Sequence, residues 1–120
     1  MRIRKEQIEA FSESLKEAYV VRMAAHLRDD FPEQLESQGL QEDDLEPLVR
    51  QGMADAEKYG VVYESDVQLY LECLVLLGPK FDRDRKYPWA RQTLRRKDLD
   101  GAAKMDEIEQ YLVFELEEPS

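Results

Sequence analysis

The sequence predicts an all-α fold: one compact bundle of about five helices around a central hydrophobic helix, forming a single domain over residues 1–120. Three observations carry this. Apolar residues recur at spacings of three, four and seven along most of the chain, as they do on one face of a helix. One stretch, "VQLYLECLVLLGP", is apolar nearly all the way round when projected as a helix, so it belongs inside a bundle. Gly and Pro punctuate the periodic segments at Pro32, Gly39, Gly60 and Gly78-Pro79, and no repeat, glycine-rich linker or low-complexity segment intervenes. A chain of 120 residues suffices for one core.

The first helix is expected from Lys5 to about Arg28, with Ile8, Phe11, Leu15, Tyr19 and His26 along its buried face. Val20, Val21, Met23 and Leu27 widen the apolar surface of its second half. "DDFPEQLESQGLQ" reads as a break, through Pro32 and Gly39. A second helix is predicted from a cap at Asp43 or Asp44 to Gly60, with Pro47 in its first turn, where no internal amide partner is lost. Leu45, Leu48, Val49, Met53, Ala56 and Tyr59 share its inner face. Gly52 lies within that stripe and marks a point where another helix crosses closely.

The central helix is expected from Ser65 to Leu77. It carries Val67, Leu71, Leu74 and Val75 on one side and Leu69, Cys73 and Leu76 on the other, with Gln68 and Glu72 as nearly its only polar interior positions. Gly78, Pro79, Phe81, Asp82, Asp84, Pro88 and Trp89 then form a structural corner. In it the short aspartates accept backbone hydrogen bonds, Pro88 opens a short helix at its first position, and Trp89 withdraws its ring from water. A last helix is predicted from the cap Asp100 to about Glu117. Met105, Ile108, Leu112 and Leu116 lie on one face, with Ala103 and Phe114 opposite.

The formal net charge is -10, from 27 acids against 17 Lys and Arg. Such a field repels phosphate backbones, so nucleic acid is not an expected ligand, despite the local basic cluster Arg91, Arg95, Arg96 and Lys97. A single cysteine, Cys73, forms no internal disulfide, and "MRIRKEQIEAF" lacks the apolar stretch of a secretory signal. The longest apolar run is far short of the ~20 residues that span a bilayer. A cytoplasmic protein without membrane contact is therefore expected.

No residue constellation points to catalysis. "DLDGAAKMDEIE", read from Asp98, places acids at Asp98, Asp100, Asp106 and Glu109 as a calcium loop does, but the required sixth-position glycine is Ala103 and Gly101 falls at the fourth. Asp100 as a helix cap explains the same residues. Asp82 and Asp84 alternate as hard-cation ligands do, yet two carboxylates seldom suffice. His26 and Cys73 fall on core-facing stripes, unlike an activated thiolate beside a base. One histidine and one cysteine also exclude a four-ligand His/Cys zinc site within the chain. No cofactor, metal or catalytic residue is expected, and a small enzyme working through acidic residues in a cleft is the weaker reading.

"HLRDDFPEQ", the stretch from Val49 to Asp82 and "YPWARQTL" together resemble a family of small bacterial helical proteins found beside type VI secretion effector, PAAR-tip and immunity components, most specifically from Arg50 through Trp89 with its R-x-G, Tyr-Gly, Leu-Gly-Pro, Phe-Asp-x-Asp and Pro-Trp-Ala elements. The resemblance spans most of the chain and carries no active-site residues. It implies protein binding, either as an accessory or adaptor that helps load an effector, or as an immunity protein that blocks a toxin. The final helix is the expected contact. Phe114 either packs beneath the N-terminal helix or the 29–43 loop, or stands exposed as an aromatic anchor rimmed by Glu107, Gln110 and Glu118. An acidic rim of this kind suits a basic partner and salt-sensitive association.

Overall fold

Ile8 enters the core from a short 3-10 turn, Ile8–Ala10, and not from the first α-helix. The computed structural model describes residues 6–117, with side chains described through residue 115. Six α-helices follow the turn: α1 Glu13–Asp30, α2 Pro32–Ser37, α3 Glu42–Lys58, α4 Glu64–Leu76, α5 Pro88–Leu94 and α6 Gly101–Glu117. The Cα radius of gyration is 13.8 Å, close to the roughly 13.6 Å of a compact chain this long. No described helix is long and apolar enough to cross a membrane.

α1 starts later than the periodicity suggested because residues 6–8 pair with the α3–α4 connection. The Ile8 amide donates to the Val62 carbonyl at 2.7 Å and the Glu64 amide to the Glu6 carbonyl at 2.9 Å. Backbone groups satisfied that way do not join a helix. The helix then begins at the cap Ser12, whose hydroxyl accepts from the Leu15 amide. The phase set by Ile8 and Phe11 therefore does not carry into α1. Tyr19, Val20, Met23 and Leu27 are buried, while Leu15 is 54% exposed and Val21 is also exposed.

The expected break at 29–43 contains α2. Pro32 takes the first helical position, where its missing amide costs nothing, and Gly39 ends the turn at φ +70°. Leu35 is buried, and Gln38 Nε2 donates to the Val75 carbonyl at 2.6 Å, which satisfies an end group of α4. The cap of α3 is Gln41, two residues before Asp43 and three before Asp44, the caps expected: Gln41 and Asp44 form a reciprocal capping box, and the Gln41 amide donates to Asp44 Oδ2 at 2.8 Å. Pro47 consequently falls in the second turn instead of the first.

α4 is the central helix. It packs against α1, α2, α3 and α6, and Val67, Leu69, Tyr70, Leu71, Cys73, Leu74 and Val75 are all buried. Its cap is Tyr63, not Ser65. The close crossing with α3 lies at Gly52, where an added Cβ would stand 2.5 Å from Leu71 Cδ2 and 2.7 Å from Leu74 Cδ1. A second close approach, which the periodicity did not show, joins the chain at Gly60 to the start of α6. A Cβ on Gly101 would overlap the Gly60 carbonyl. Asp100 caps α6 as expected, accepting from the Ala103 amide at 2.8 Å, and Met105, Ile108 and Leu112 are buried.

Candidate protein-binding face

The corner between α4 and α5 is built from the residues the sequence singled out, in three different ways. Gly78 turns the chain at φ +116°, a conformation that side-chain-bearing residues rarely adopt. Phe81 is fully buried and packs edge-on to Tyr70 at 5.1 Å between ring centroids. Asp82 is buried too, and the Tyr59 hydroxyl donates to its Oδ2 at 2.6 Å. Asp84 stays exposed, where its carboxylate accepts from the Lys86 amide at 3.0 Å and its carbonyl from the Tyr87 amide. Pro79 and Pro88 are exposed, and Pro88 opens α5.

Beside the corner, the buried Lys104 donates to the Tyr59 carbonyl at 3.0 Å, which ties α6 to the end of α3. Burial lowers the Lys104 pKa. Burial first, and then the bond to Asp82, push the Tyr59 hydroxyl up to about 12. Tyr19 and Tyr70 are raised as well, chiefly by burial. A tyrosine raised in the folded state stabilises it fully below the unfolded value of about 10 and loses that contribution as pH climbs through the folded one. Melting temperature should therefore fall steeply between pH 10 and 12. The Tyr59→Phe variant should show a smaller alkaline fall. At pH 7 it should also lose about 1–3 kcal/mol, because the buried Asp82 carboxylate is left without this donor. Circular-dichroism melts of both proteins from pH 7 to 12 measure both effects.

Trp89 is half-buried, less withdrawn than expected, because one face of its ring meets α6 rather than the core centre. It stacks on Tyr111 at 5.2 Å and 22°, and Tyr87 meets it edge-on at 5.9 Å. Trp89 Nε1 is buried without an acceptor among the described residues. This stack joins α5 to the outer surface of α6.

On that surface Phe114 is 68% exposed, Val113 50% and Tyr111 44%. The expected packing of Phe114 beneath the N-terminal helix or the 29–43 loop is therefore not found. At about 100° per residue, Phe114 projects almost opposite Leu112, and since Leu112 already fills the core, Phe114 has none to enter. Of the proposed rim, Gln110 is exposed, and Glu107 is half-buried with Arg96 Nη1 3.3 Å from its Oε1. Glu118 lies outside the described residues. At the Glu107 end, then, the rim is already paired with a cation.

The remaining candidates have structural surroundings. Arg96 holds Asp98 at 2.6 Å, Asp100 is occupied as the α6 cap, and Asp106 and Glu109 lie on the helix that starts at Gly101, so the twelve residues from Asp98 do not wrap a common centre. Among the described residues no group of three or more His, Cys, Asp or Glu side chains is arranged to hold a metal. Cys73 is buried. His26 is half-buried at the edge of the core, with Nε2 2.6 Å from Glu72 Oε2 and Nδ1 3.1 Å from Asp30 Oδ2. Gln68 Nε2 also donates to Glu72, at 3.2 Å. Glu72 and Gln68 stand four apart in the apolar part of α4, a spacing that marks a polar spot on that helix but does not name His26 of α1 as its partner. No family model matches the chain, and neither a curated protein nor a solved structure does.

Proposed function

We propose that this domain is a non-catalytic accessory or adaptor that works by binding another protein, in the setting of type VI secretion that the sequence resemblance implies. The aromatic face of α6 is the proposed contact. One observation carries the reading: Tyr111 and Phe114, three apart on one face of α6, are both exposed while Met105, Ile108 and Leu112 fill the core from its other side, and the Trp89 stack backs Tyr111. Large aromatic side chains held on a rigid helix lose little entropy on docking and dominate interface energetics.

The test is co-expression with products of the adjacent genes, then pull-down at low salt with wild type and Phe114→Ala. An exposed side chain contributes little to folding, so the variant should melt within about 0.5 kcal/mol of wild type. An anchor residue is worth about 2 kcal/mol or more, so capture should weaken about 30-fold. If wild type captures no neighbouring product, the reading fails. If Phe114→Ala is folded and binds equally well, the function stands and the face is wrong. Rescue from a co-expressed neighbouring toxin would assign the immunity role in place of loading.

A further inference from the structure

The charge of the chain is unevenly placed. Residues 80–97 hold eight of the seventeen Lys and Arg against only Asp82 and Asp84, a balance of +6 in a chain of net -10, which leaves -16 on everything else. Asp82 is turned inward to Tyr59. On the outside of α5, Arg85, Pro88, Arg91, Gln92, Arg95 and Arg96 line a groove of about 530 Å³, with Asp84 at its edge. Pro88, Arg91 and Gln92 share one face of α5 at spacings of three and four, and Arg95 closes the helix as its C-cap, its amide bonded to the Arg91 carbonyl at 3.2 Å, so it stands one turn beyond Arg91. Arg96 is occupied by Asp98 and Glu107. Arg85, Arg91 and Arg95 are exposed and make no ion pair with the described residues, although acids outnumber bases in this chain.

We propose that this groove is a docking site for an acidic linear segment of a partner protein. Guanidinium groups pair with carboxylates in a fixed, two-pronged geometry. The four-residue step from Arg91 to Arg95 rises about 6 Å along the helix. Alternate side chains on one edge of an extended peptide stand about 6.6 Å apart, so a segment with an acid at every second residue meets both arginines. A nucleic acid fits less well. The groove has no aromatic lining for stacking bases, since Trp89 is turned to Tyr111, and the -16 elsewhere repels a long polyanion more than a short segment. The site uses α5 and not the exposed face of α6, so its failure leaves that reading untouched.

The experiment is fluorescence anisotropy with the full chain and three labelled probes: a twelve-residue peptide alternating Glu and Ser, the same peptide with Gln for Glu, and a six-nucleotide oligothymidine. The Glu peptide should bind saturably at low salt and weaken as salt rises, and the Gln peptide should bind at least ten-fold more weakly. Arg91→Glu and Arg95→Glu should each weaken the Glu peptide at least ten-fold with unchanged thermal melting. Lys16→Glu, an equal charge change on α1, which lines no part of the groove, should weaken it less than three-fold. Absence of saturable Glu-peptide binding overturns the proposal. So does equal loss from Lys16→Glu, or tighter binding of the oligothymidine, which would assign the groove to phosphates.

Discussion

Gly101→Ala is expected to lower stability by about 3 kcal/mol or more, the upper end of what an overpacked site costs. The added methyl meets the Gly60 carbonyl and the Val61 Cα, which are backbone atoms, so no side chain can rotate away. Either the turn at Gly60, held at φ +79°, or the first turn of α6 has to move. That movement also strains the Asp100 cap and the Lys104 bond to Tyr59. A fall of roughly 10 °C in Tm follows for a domain of this size. Gly52→Ala is the control, because its methyl meets the ends of the Leu71 and Leu74 side chains, which can shift rotamer. Its cost should be about 1–2 kcal/mol. If chemical denaturation ranks the two variants in the opposite order, the Gly60–Gly101 approach is looser than described.

Phe81→Ala should cost about 3–5 kcal/mol, as expected for a large aromatic removed from a site with 0% exposure. The loss includes its edge contact with Tyr70, which itself packs beside Tyr59 at 6.3 Å. The cavity opens beside the buried Asp82, so the variant also weakens the surroundings of the Tyr59 bond. Trp89→Ala should cost less, about 2 kcal/mol, since its ring is only partly withdrawn from water. Urea titration of the two variants checks the comparison. A larger loss at Trp89 would show that the α5–α6 stack, and not the Phe81 corner, anchors this end of the molecule.

Local signals made most of the helical fold legible. The all-round apolar run from Val67 to Val75 marked α4 as central, Gly78-Pro79 marked its end, Pro88 and Asp100 marked the starts of α5 and α6, and Gly52 marked a helix crossing. Each depends on propensity or periodicity within a few residues, which the local order of residues expresses directly. Partnering over long separations is not written that way. The pairing of residues 6–8 with 62–64 withdrew Ile8 from α1 and exposed Leu15. Periodicity placed Phe114 opposite the core face of α6 but left open whether another element covered it, and only the arrangement of the other helices leaves it in solvent. The same holds for His26 with Glu72, Tyr59 with Asp82, Trp89 with Tyr111, and the arginine groove of α5, since whether two polar or aromatic side chains meet depends on how helices distant in sequence are rotated and stacked.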